Sequence, residues 1–157
     1  MTRIDAVVLT LGLAALAGCA TDPGVTAFAR TWNLVAVDGK ALPVQASFPD
    51  GFQLDSELLT FPGISRPRTG EPVAGLVVIT QAYSGGIAGG HQSAMGNYAF
   101  EIRDASLRIN LCPLGALCIM PTELIGTIGS TEAILTHYLG GQAKSVYRFV
   151  VTPTMPD

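Results

Sequence analysis

The chain has 157 residues, a formal net charge of −3 and only 13 % charged residues, with no run of Lys or Arg. That balance excludes a nucleic-acid partner, which would need a basic stripe to neutralise phosphates. Eighteen Gly and ten Pro argue against long helices, and the mean hydropathy of +0.41 is raised by an apolar start.

That start, Met1 to Ala20, reads MTRIDAVVLTLGLAALAGCA. Arg3 is a positive n-region, and Ala6 to Ala15 forms an apolar stretch too short to span a bilayer, followed by small residues. This pattern predicts a helical signal peptide over residues 1–18. The four residues Leu16-Ala17-Gly18-Cys19 closely resemble the lipobox of bacterial lipoproteins. The resemblance implies cleavage before Cys19, acylation of its sulfur, and a mature chain whose partner is the lipid bilayer. Ala20 and Thr21 follow the cysteine where inner-membrane retention would place Asp. By resemblance to enterobacterial sorting, that points to the outer membrane, facing the periplasm. Several acyl chains, at roughly 0.8 kcal/mol per buried methylene, make such an anchor stable.

Removing the signal leaves about 140 residues, the size of one domain with a core of its own. Residues 19–30 hold the acylated Cys and a linker with Pro23 and Gly24, residues 31–152 the domain, and residues 153–157 a tail. Trp32, Leu34 and Ala36 alternate with their neighbours as a half-buried strand does, up to the hairpin signal Asp38-Gly39. Lys40 to Val44 returns and is stopped by Pro43. Leu54 to Phe61 is the next strand, Ile64 to Pro72 a loop, and Val73 to Tyr83 an apolar, β-branched central strand. Ser84 to Gly96 reads as a Gly-rich loop. Strands follow at Tyr98 to Ile102, Leu107 to Leu111, Leu124 to Ile128, Ala133 to Leu139 and Val146 to Val151. About eight short strands with tight turns predict an all-β domain, a small antiparallel barrel or a sandwich.

Cys112 and Cys118 remain once Cys19 is acylated, and an even pair in an oxidising compartment reads as a disulfide. Pro113 and Gly115 let the short loop turn back. The alternative is a metal site using both thiolates with His91 or His137, at a spacing wider than zinc knuckles use.

The segment TWNLVAVDGKALP at Thr31 to Pro43 resembles the opening of META-domain and lipocalin-like bacterial lipoproteins. The later Gly96-Asn97-Tyr98, Ser106-Leu107-Arg108-Ile109, Gly126-Thr127-Ile128 and Leu135-Thr136 are similar to those families as well. The resemblance implies an up-and-down or META-like barrel and brings no catalytic residues. The chain departs from the pattern at Ile64 to Pro72, Ser84 to Gly96 and the Cys loop.

Candidate chemistry is sparse. No nucleophile motif frames Ser93 beside His91, so no catalytic residue is assigned and the chain reads as non-enzymatic. Ser84 to Gly90 lacks the Lys-Ser/Thr and the helix of a phosphate loop, and no cofactor or metal is expected. Asp55, Glu57, Glu101 and Glu123 sit singly on strands and are expected on solvated outer faces. Trp32 reads first as barrel-floor packing with its indole N–H satisfied, and second as a ligand-stacking ring. His137 shares a face with Leu135 and Leu139, which predicts a partly buried, hydrogen-bonded imidazole. Two function classes follow. One is a barrel holding a small apolar ligand, with Trp32, Tyr83, Tyr98 and His137 as candidate contacts and the loops Ile64–Pro72 and Ser84–Gly96 at the mouth. The other is an interaction protein that binds an envelope protein through its loops.

Overall fold

The computed structural model describes residues 31–45, 51–61, 72–86, 90–113 and 115–152. The expected signal peptide, Cys19 and its linker, the tail, and all of Ile64–Pro72 except Pro72 lie outside these residues.

The described residues form ten strands and no helix. They are β1 (Thr31–Val37), β2 (Lys40–Ala41), β3 (Val44–Gln45), β4 (Phe52–Thr60) and β5 (Val73–Gly85), then β6 (Gly90–Arg103), β7 (Ser106–Asn110), β8 (Thr122–Ile128), β9 (Glu132–Leu139) and β10 (Gln142–Val151). From β4 to β10 each strand pairs antiparallel with the next in sequence, β10 pairs with β1, and β1 pairs with β4. The ring so closed has eight strands, with β2 and β3 as short ribbons on its rim. The barrel alternative is therefore the right one. Closure leaves the ring itself without a free edge.

Turn chemistry sets the corners. Asp38 and Gly39 have φ of 50° and 75°, a conformation that twists a two-residue turn in the sense its strands need. The returning strand is shorter than expected. Lys40–Ala41 pairs with β1, whereas Val44–Gln45, beyond Pro43, pairs with β4.

The inner face is packed at one end. Trp32, Phe61, Phe100, Leu107, Ile128 and Phe149 are among the buried side chains there, and Phe61 meets Phe100 edge-on with ring centres 5.0 Å apart. Trp32 lies in this floor as expected, but its indole N–H, buried among apolar neighbours, has no hydrogen-bond partner among the described residues. Phe61 and Val73 are in the same floor.

Three register shifts lie in the other half of the barrel, between Leu34 and Ala36, between Leu54 and Ser56, and between Ala143 and Ser145. Such bulges re-aim side chains at barrel rims. On β4 the shift is decisive. Leu54 and Leu59 have opposite parity, so strict alternation would send one of them outward; with the extra residue both are buried.

Ser84–Gly96 is not the loop its composition predicts. Tyr83, Ser84 and Gly85 pair with Gln92, His91 and Gly90, and the hairpin runs on past the barrel wall. Gly85 and Gly86 are held by the neighbouring β4 and by local packing. Phe52 pairs with Gly85, Ser84 Oγ donates to Asp55 Oδ1 at 2.7 Å, and the Phe52 ring covers Gly86. His91 and Ser93 are thus exposed strand residues. Residues 90–98 pair only with β5, because β7 reaches no further than Ala99.

Candidate functional site

Above the packed floor the barrel opens into a cavity of about 410 Å³. Its wall includes Leu54, Ile79, Leu111 and Leu124, with a polar set of Glu57, Gln81, Tyr83, Tyr98, His137 and Tyr147. Asp38 and Lys40, from the β1–β2 turn and β2, stand at the rim. The turn is tied down on both sides. Asp38 N donates to Val146 O at 2.8 Å, and Val146 N donates to Asp38 Oδ1 at 2.7 Å.

Glu57 is the most unusual residue of this cavity. It was expected on a solvated outer face, but it is only 3 % exposed and points into the barrel. The reason lies in the phase of β4, since beyond the bulge Glu57, Leu59 and Phe61 share one parity and all three are buried. Its one hydrogen bond among the described residues comes from Gln81 Nε2, which donates to Oε2 at 2.7 Å; Tyr83 Oη in turn donates to Gln81 Oε1 at 2.9 Å. No ion pair neutralises it among the described residues. The described ion pairs, Glu101–Arg103, Glu123–Arg108 and Glu132–Arg148, involve other carboxylates. Burial pushes the Glu57 carboxyl up to about 7, offset in part by the Gln81 hydrogen bond.

The neighbouring groups respond to the same environment. Burial, then the negative charge of Glu57 and of Tyr98, raises Tyr83. Burial, then the charges of Glu57, Tyr83 and Asp38, raises Tyr147 far more. Both phenols stay neutral and remain hydrogen-bond donors. Burial lowers His137 and favours neutral imidazole. Its ring meets Tyr147 edge-on at 6.0 Å, and its Nε2 is buried without a hydrogen-bond partner among the described residues.

Glycine gives Tyr98 its place. A Cβ on Gly96 would lie 2.6 Å from Tyr98 Oη and 2.7 Å from a ring carbon, so the ring folds over a position that only glycine leaves open.

Of the residues singled out from sequence, Tyr83, Tyr98 and His137 come together in the cavity wall, while Trp32 lies in the floor. Glu57, Gln81 and Tyr147 were missed. Tyr147 shares parity with Phe149 and Val151 on β10, just as Glu57 does with Leu59, and that signal could have placed both inside. Cys112 and Cys118 are joined, with Cα atoms 5.9 Å apart, so neither sulfur is free to bind a metal. The bridged loop follows Leu111 of the cavity wall. It carries Leu117 and Ile119 fully exposed at the open end, and Met120 beside them is half exposed.

No known family model matches the chain, and neither a curated protein nor a solved structure is significantly similar to it.

Proposed function

We propose that this protein is a lipid-anchored, non-enzymatic binding module of the bacterial envelope, which holds one small, largely apolar molecule inside its barrel. The observation that carries the reading is the cavity of about 410 Å³ within a closed ring of eight strands. A ring of that size is just wide enough for one small ligand, and a mixed lining with a few convergent polar groups is what ligand sites show. Tyr83, Tyr98 and His137 are the contacts we assign, with Glu57, Gln81 and Tyr147 added to them.

The anchor reading rests on Leu16-Ala17-Gly18-Cys19, and Ala20-Thr21 favours the outer membrane, facing the periplasm. Thr31, where the first strand begins, pairs with Thr60 at the closed end. A Cys19→Ser protein should lose its membrane fractionation; unchanged membrane association refutes the anchor.

Binding is tested with a hydrophobic fluorophore titrated into the protein and into an Ile79→Trp variant, in which the larger side chain fills the cavity. The expected result is saturable binding at one site per chain, lost in the filled variant. Signal that does not saturate, or that the filled variant retains, refutes the cavity as the site. A second reading is favoured by the exposed Leu117 and Ile119 at the open end, which suit a docked envelope protein. Its mark would be a complex lost on Leu117→Ser and Ile119→Ser with fluorophore binding intact.

A further inference from the structure

A barrel that stored purely apolar molecules would have no use for an unpaired carboxylate in its wall. Glu57 is buried, accepts one hydrogen bond, and has no cation within ion-pair distance among the described residues. A purely apolar ligand would leave this carboxylate with the Gln81 hydrogen bond alone and His137 Nε2 with no partner among the described residues, which is costly for both. An anionic ligand such as a fatty acid would bring its carboxylate against Glu57 and Asp38 together. Only a cation improves the electrostatics of the site.

The rest of the wall suits a cation as well. Tyr83, Tyr98 and Tyr147 line the cavity from β5, β6 and β10, and phenol ring faces attract ammonium groups. Their orientation is built in. Tyr83 is fixed by its bond to Gln81, Tyr98 by the space over Gly96, and Tyr147 by stacking on Phe149 with centres 6.3 Å apart. Leu54, Ile79, Leu111 and Leu124 leave an apolar wall for the body of the molecule.

We infer that the cavity takes an organic cation, its apolar body filling the barrel and its protonated amine or quaternary ammonium held between the Glu57 carboxylate and the tyrosine rings. This rests on the cavity being the binding site. The charged and titratable groups that face Glu57 from the surrounding elements are Asp38, Lys40, Tyr83, Tyr98, His137 and Tyr147. Of these Lys40 alone is cationic at neutral pH, and it stands exposed at the rim.

The test uses three probes of nearly the same shape, namely tryptamine, the neutral alcohol tryptophol and the anion indoleacetate, titrated calorimetrically into the full chain. At pH 8, where Glu57 is ionised, tryptamine should bind at least about tenfold more tightly than tryptophol, with indoleacetate weakest. At pH 5 the preference should collapse, because Glu57 is protonated while tryptamine keeps its charge. Glu57→Gln should cut the tryptamine-over-tryptophol preference at pH 8 at least about fivefold, the tyrosine rings keeping the remainder, and make that preference the same at pH 5 and pH 8; Lys40→Ala should strengthen tryptamine binding. Tryptophol or indoleacetate binding as tightly as tryptamine at pH 8 overturns the proposal and leaves the binding module standing. So does a Glu57→Gln protein that keeps the full preference. Failure of all three probes and of the fluorophore overturns both.

Discussion

Replacing Glu57 by Gln should stabilise this protein, and by an amount that grows with pH. The substitution keeps the shape of the side chain and an oxygen to accept the bond from Gln81 Nε2. What it removes is a proton equilibrium. The carboxyl is raised from 4.5 in the unfolded chain to about 7 in the fold, so the folded state holds its proton more tightly. Stability from this group is therefore highest below pH 4.5, falls as the pH rises through the interval, and reaches its full deficit above 7. At about 1.4 kcal/mol per unit, the deficit is under about 1 kcal/mol at pH 5 and about 3 kcal/mol at pH 8. His137 complicates the wild-type curve with the opposite slope. Its folded value lies below 6.5, so its contribution is present above that pH and is lost as the pH falls. Subtracting the variant from the wild type at each pH cancels the histidine. The assay is urea unfolding at pH 5 and pH 8 followed by fluorescence of Trp32, the single tryptophan and fully buried. An advantage of Glu57→Gln that is the same at both pH values would refute the argument that burial dominates this carboxyl.

Other perturbations separate scaffold from site. Gly126→Ala would set a Cβ 1.9 Å from the Ile134 carbonyl oxygen, so the β8–β9 ladder must shift; a loss of at least about 2 kcal/mol is expected in the same urea assay. Gly96→Ala presses on the Tyr98 ring, which can swing, so the melting temperature should move by only a few degrees while tryptamine affinity falls several-fold. Replacing Cys112 and Cys118 by Ser should cost about 2 kcal/mol and leave the barrel folded, because the bridge closes only a short loop. Alkylation of the native protein should take up two further labels after reduction.

Much of the scaffold could be read from residue order because its causes are local. Asp38-Gly39 and Gly140-Gly141 announce their turns by the positive φ that such residues tolerate, and the alternation in Leu107 to Leu111 marks a strand with one buried face. Where causes were non-local, the sequence misled. The glycines of Ser84–Gly96 look like a loop, yet a strand can be rich in glycine when a neighbour supplies its hydrogen bonds, as β4 does through Phe52 to Leu54. Glu57 was assigned to the outside on its charge alone. The parity that carries it inward becomes legible only past Asp55, where the register slips by one residue. His137, with Leu135 for a guide and no bulge between them, was placed on the correct face. Nothing in the order of residues says which end of a ring is open, since that depends on where the large side chains of eight different strands meet.

The manner of closure decides when the molecule can become whole. β1 pairs with β4 through Thr31, Trp32 and Asn33, and its other side lies along β10. During synthesis β1 emerges first and its main partner last. The strands from β4 onward can zip together as successive hairpins, each between neighbours in sequence, whereas joining β1 to β10 requires the first and last strands of the ring to find each other. Until residue 151 is available, the nascent sheet is an open ribbon whose inner face, with Phe100 and Leu107, is uncovered and whose outermost strands are free to pair with another chain. A chain truncated before Gln142 would therefore not be a slightly smaller barrel but a sheet that seeks partners.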